Sequence, residues 1–151
     1  MSKQILQVIG AGIFTCFVMT GCDSFNGVYR TARLQHLPSN AAIEAALHDV
    51  PATQRVRYSV SQPIAPSDTR ILRQFDYSSA DSGGVVAIQQ TETGGKTLTL
   101  YRMWIDYIPP PEVIGDTCAL MDEVYASLLR HIPGLPPKED LKETLVRVKK
   151  P

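Results

Sequence analysis

The first 22 residues place the tightest constraint on this chain. Lys3 precedes an apolar run over residues 5–19, which is followed by the small residue Gly21 and then by Cys22. A helix that crosses the ~30 Å of bilayer hydrocarbon needs about 20 apolar residues. This run is shorter, and glycine and polar residues interrupt it. A basic start, a short apolar stretch and a small residue before the cut are typical of a secretory signal. The sequence therefore predicts an exported protein.

The end of the apolar run resembles the lipobox of bacterial lipoproteins. Met19, Thr20 and Gly21 occupy the three lipobox positions before Cys22, and Met19 departs from the leucine that the family favours. The resemblance implies that diacylglycerol is attached to the Cys22 thiol and that the chain is cut between Gly21 and Cys22. The new amino group then receives a fatty acid such as palmitate. The alternative is an ordinary cysteine that follows an ordinary signal.

Asp23 follows the proposed anchor directly. In enteric lipoproteins that this leader resembles, aspartate at that position tends to retain the protein in the inner membrane, facing the periplasm. The resemblance therefore favours the inner membrane over the outer membrane, although other bacterial lineages follow different sorting rules.

Removal of residues 1–21 leaves enough chain for one domain with one hydrophobic core. Cys16 leaves with the leader and Cys22 carries the lipid, so Cys118 has no intrachain disulfide partner and the fold depends on its core. The full chain has 15 lysines and arginines against 15 acids, and the leader removes only Lys3. This near-neutral balance gives no basic field for binding nucleic acid.

Hydrophobic periodicity predicts a helix, four strands and a second helix in that order. Ser39 or Asn40 caps the first helix, whose apolar stripe ends at Val50. Strands are predicted over residues 54–61, around residues 71–77, over residues 85–91 and over residues 97–105, with a tight glycine hairpin at residues 93–96. The second helix begins at Glu112 or Asp116 and ends at Ile132.

This α-β-β-β-β-α pattern predicts an α+β fold, a two-layer sandwich with a four-stranded antiparallel sheet and two main helices. After a proline linker, a short C-terminal helix is predicted over residues 138–149. The predicted organisation is a signal peptide at 1–21, an anchor and lead-in at 22–37, an α+β domain at 38–134 and a tail at 135–151.

No catalytic residue, cofactor or metal site is predicted. Cys118 and His131 invite comparison with thiol proteases, but 13 residues of one helix separate them by more than ~15 Å. His36 or His48 could still reach Cys118 through the fold. His48-Asp49 resembles the doublet of metal-dependent phosphohydrolases, but it closes a helix, and the favoured interpretation is a helix-end histidine.

Four arginines are candidate contacts with a partner or with lipid headgroups. Arg55 and Arg57 share the polar face of the first predicted strand, which lies at the edge of a meander. Charged side chains there discourage edge-to-edge pairing. The alternative is docking to anionic headgroups or to an acidic partner. Arg73 and Arg102 each interrupt an apolar alternation. A register break or an edge position explains such residues, and the alternative is a small recognition pocket with nearby aromatic side chains.

These observations predict a membrane-anchored envelope lipoprotein that acts as a non-catalytic accessory or interaction module for another envelope protein. The alternative is a small ligand- or lipid-binding lipoprotein whose pocket wall is the apolar face of the sheet. A small hydrolase is the least favoured alternative. The sequence does not fix the oligomeric state, and it does not identify the partner.

Overall fold

A computed structural model describes residues 25–59, 69–105 and 107–147 of the chain. Two helices, α1 (Asn40–His48) and α2 (Pro111–His131), accompany six strands in this part. The strands are β1 (Phe25–Leu34), β2 (Arg55–Ser59), β3 (Thr69–Ser78), β4 (Gly83–Thr91), β5 (Lys96–Ile105) and β6 (Lys142–Arg147).

The six strands form one antiparallel sheet in the order β2-β3-β4-β5-β1-β6. The predicted meander is present as β2 to β5, with β2 at one edge. The prediction of a four-stranded sheet with a C-terminal helix is wrong, because β1 adds to β5 and β6 adds to β1. Residues 138–140 form a single 3-10 turn in place of the predicted helix. An open β1 edge presents unpaired backbone N–H and C=O groups, and pairing with β6 satisfies them.

Local capping chemistry sets where both helices begin. The Ser39 hydroxyl accepts a hydrogen bond from the Ala42 N–H at 3.1 Å, which confirms Ser39 as the cap of α1. α2 begins at Pro111, where proline is favourable because the first helical N–H has no partner within the helix.

The core lies between one face of the sheet and the two helices. Alternate residues of β4 and β5 contribute Val86, Ile88, Leu98 and Leu100, all fully buried. Met121, Val124 and Leu128 of α2 and Ile43 and Leu47 of α1 join the same cluster. Full burial of a side chain of this size contributes about 1.5–3 kcal/mol. The sequence therefore builds two layers around one apolar core.

Strand register brings three chain segments together at one end of the sheet. Phe25 pairs with Ile105, and Asn26 pairs with Arg147. We call this region, formed by residues 25–27, 103–105 and 145–147, the Phe25 end. At the other end of β1, Leu34 pairs with Lys96 beside the β4–β5 hairpin. The ten residues of β1 separate the two ends by about 30 Å.

Candidate functional site

Gly21, Cys22 and Asp23, the residues of the predicted lipidation and sorting site, lie outside the described residues. β1 begins at Phe25, three positions after Cys22. Among the described residues, no helix is long and apolar enough to cross a bilayer.

The main charged cluster surrounds Arg30, a residue that the sequence reasoning missed. Arg30 lies on β1 with only 6% of its surface exposed. Its Nε donates to a Glu143 carboxylate oxygen at 2.8 Å, and one terminal nitrogen pairs with Asp122. The same nitrogen donates to the Cys118 carbonyl oxygen at 3.3 Å. The carboxylate of Asp122 also receives a hydrogen bond from Lys138 Nζ at 2.6 Å.

This cluster joins β1, α2 and β6 through a nearly balanced set of charges. Burial alone would lower the pKa of Arg30, but hydrogen bonding to Glu143 and the charges of Asp122 and Glu143 outweigh burial and raise it. Arg30 therefore stays charged, and both carboxylates are engaged in holding it. No local sequence signal could reveal the cluster, because its members are 92 and 113 residues apart from Arg30.

Cys118 is half-buried beside this cluster. Burial raises the pKa of its thiol, and the nearby positive charge of Arg30 offsets only part of that effect. A raised pKa favours the thiol over the reactive thiolate. The residue is therefore poorly suited to act as a nucleophile.

His131 lies at the other end of the same helix, where its Nε2 is 2.5 Å from Asp49 Oδ2. This contact connects the C-terminal ends of α1 and α2. Asp49 of the His48-Asp49 doublet is therefore engaged with His131 of α2. Among the described residues, no group of three or more His, Cys, Asp or Glu side chains could hold a metal ion.

Arg73, one of the predicted contact residues, holds the start of α1. Its guanidinium donates to Asn40 Oδ1 at 2.6 Å and to the Pro38 carbonyl oxygen at 2.9 Å. The pairing of β3 with β4 shifts register between Ile71 and Arg73. The predicted register break therefore explains this interruption of the apolar pattern.

Arg102 has a different environment. It is exposed on β5, an internal strand, in unbroken pairing with Val28 of β1. Neither a register break nor an edge strand accounts for it. Arg102 lies close enough to Tyr77 for its charge to lower the pKa of that phenol, although burial raises the pKa by more.

Tyr77 is buried against a glycine at the start of β4. A Cβ atom added to Gly84 would lie 2.5 Å from the Tyr77 hydroxyl oxygen. That hydroxyl is buried without a hydrogen-bond partner. The close approach explains the glycine at the second position of β4, because a side chain at position 84 would meet the Tyr77 ring.

Arg55 and Arg57 lie on edge strand β2, and both are exposed. The four predicted arginines thus do not form one surface. Arg55 and Arg57 lie at the β2 edge, and Arg73 holds α1. Arg102 lies on β5, where it is separated from β6 by β1.

The segment after β5, next to the Phe25 end, carries the most exposed large apolar side chain of the described residues. Ile108 has 75% of its surface exposed, and the adjacent Tyr107 has 50%. Asn26 Nδ2 donates to the Tyr107 carbonyl oxygen at 3.1 Å, which fixes this segment against β1. Sequence reasoning missed both residues, because a single apolar pair before a proline run gives no periodic signal.

No family model, curated protein or solved structure matches this chain.

Proposed function

We propose that the protein is a membrane-anchored bacterial envelope lipoprotein that acts as a non-catalytic accessory or interaction module. One observation carries the proposal: the lipobox-like residues 19–22 end three positions before the first strand of the sheet. Lipidation at Cys22 would thus attach the α+β fold to a membrane by a very short tether. Two or more acyl chains are enough for stable anchoring.

Engagement of the reactive side chains within the fold supports a role in binding. Arg30 is held by two carboxylates, Arg73 by the start of α1, and His131 by Asp49. These contacts place the side chains where they hold one structural element to another. The proposed partner is another envelope protein, and Asp23 favours the periplasmic face of the inner membrane.

The alternative of a ligand-binding lipoprotein needs the apolar sheet face as a pocket wall. That face instead packs against both helices, with fully buried residues from β4, β5 and α2 in one cluster. The packing of this face favours an interaction module over a ligand carrier.

The variant Cys22→Ser, expressed as the full chain in a bacterium that processes lipoproteins, tests the proposed lipid anchor. We expect the wild-type protein to sediment with membranes and the variant to remain in the soluble fraction, because the serine hydroxyl cannot receive the thioether-linked lipid. Mass spectrometry of the wild-type mature amino terminus should show an acylated Cys22.

The matched control is Cys118→Ser, which changes the same atom at a position within the fold. This variant should sediment as the wild type does. Membrane association of Cys22→Ser at the wild-type level, or an unmodified Cys22 in mature material, would contradict the proposal.

A further inference from the structure

The length of the proposed tether limits how far the Phe25 end can lie from the membrane. Cys22 and Phe25 are separated by three chain steps, each of about 3.8 Å, so a lipid-bearing Cys22 lies within about 11 Å of Phe25. The headgroup region of each leaflet is about 5–8 Å thick, from the difference between total and hydrocarbon thickness. The Phe25 end therefore lies at or next to the headgroups.

The side chains exposed at this end suit a membrane interface. Tyr107 has an apolar ring and a polar hydroxyl, a combination enriched at the level of the headgroups. Ile108 projects into solvent immediately beside it. Buried Pro109 follows, and Pro111 then starts α2, so the exposed pair sits on a stiff connection between β5 and α2.

Two further exposed residues lie on the strands β5 and β6, on either side of β1. Leu145 of β6 and Arg102 of β5 both pair with Val28 of β1, so they lie in one row across three strands. Leu145 is 51% exposed. Arg102 supplies a cation that suits lipid phosphates.

We propose that the Phe25 end is a bilayer-contacting surface, with Tyr107 and Ile108 inserted among the headgroups and Leu145 and Arg102 beside them. This inference rests on the proposed lipid anchor, because the short tether is what brings this end to the membrane. The occupant of the surface is the bilayer that carries the anchor. The contact fixes the orientation of the fold, with the β4–β5 hairpin and the far end of the sheet directed away from the membrane.

The test places one fluorescent label at a time on the full lipidated chain. Ile108→Cys is made in a Cys118→Ser background, so the label attaches only at position 108. Leu37→Cys is the matched control, because Leu37 is also an exposed aliphatic residue, at 45%, and it follows the far end of β1. Each labelled protein is reconstituted in vesicles of phosphatidylcholine and phosphatidylglycerol that contain a nitroxide-labelled lipid as quencher.

We expect the label at position 108 to show blue-shifted emission and strong quenching by the nitroxide lipid. The label at position 37 should show the emission of a water-exposed label and little quenching. Flotation of the vesicles is measured in the same samples. Flotation of the protein with water-like emission at both positions would overturn the bilayer contact and leave the anchor intact. Protein that does not float would overturn the anchor and this inference together. If the label at position 108 shows blue-shifted emission in native membranes but not in the lipid vesicles, the surface contacts a protein partner, and the inference is overturned.

Discussion

Removing the cation of the Arg30 cluster should lower the free energy of unfolding much less than removing its two anions. The Arg30 side chain is 7% exposed, whereas Asp122 and Glu143 are 37% and 57% exposed. In Arg30→Met, the two carboxylates remain near water and can be hydrated. In the double variant Asp122→Asn, Glu143→Gln, the guanidinium remains buried without an opposite charge.

The expected magnitudes follow from this difference in burial. A buried charge that loses its partners costs about 3–5 kcal/mol, whereas the loss of an ion pair costs about 1 kcal/mol or less when the charges left behind remain hydrated. The free energy of unfolding of native proteins is about 5–15 kcal/mol, so the double variant should lose a large share of its stability. Arg30→Met should lose about 1 kcal/mol or less.

The assay is urea unfolding of the three proteins, followed by fluorescence of Trp104, which is the sole tryptophan and is buried. A fourth protein combines Arg30→Met with both carboxylate changes. We expect it to be more stable than the carboxylate double variant, because the unpartnered cation has been removed. Such non-additivity is the signature of direct coupling. A greater loss for Arg30→Met than for the double variant, or strictly additive losses, would refute the reasoning.

Two further predictions concern packing and pH. Gly84→Ala should destabilise by about 1–3 kcal/mol, because its Cβ would overlap the buried Tyr77 ring. The matched variant Gly115→Ala, in open space on α2, should stabilise by up to about 1 kcal/mol through helix propensity. Equal thermal midpoints for the two variants would contradict this. Burial raises the pKa of Tyr125 to about 12, so its folded phenol keeps a proton that the unfolded chain loses near pH 10. The stabilising contribution of the Tyr125 phenol should therefore be fully present below pH 10 and be lost as pH rises towards 12. Circular dichroism with tyrosinate absorbance checks this, and Tyr125→Phe should weaken the loss.

The central part of the fold was predictable from sequence because its signals are local. The cap at Ser39, the hairpin at Gly94 and the long apolar stripe of α2 each act within a few residues. The meander from β2 to β5 follows from alternation and short connections. These features are decided by the chain segment that contains them.

The two outer strands were not predictable for a different reason. The inward row of β1 includes Asn26 and Arg30, so its alternation does not appear apolar. Arg30 is tolerated there only because carboxylates arrive from α2 and β6. The spacing of Leu141, which precedes β6, and Leu145 within it matches a helix, and pairing with the open edge of β1 overrides that preference.

The same limit applies to the candidate surface. Exposure of Tyr107 and Ile108 depends on how β1, β5 and α2 meet, and no motif marks such a junction. Arg73 and Arg102 were predicted from broken alternation, and Arg55 and Arg57 from the polar face of an edge strand. Only the contacts of the folded chain distinguish Arg73, which holds a helix, from Arg102, which stays exposed.

Pairing of the first described strand with the last has a consequence for biogenesis. The contact between Arg30 and Glu143 spans 113 residues, so the sheet is completed only after the segment that contains β6 has been synthesised. Non-local pairing of this kind slows folding, and an open strand edge is prone to aggregate in the meantime. A chain that is still being synthesised would present the edge of β1 until β6 arrived. A nonsense mutation before Lys142 would remove β6 and leave that edge of β1 unpaired.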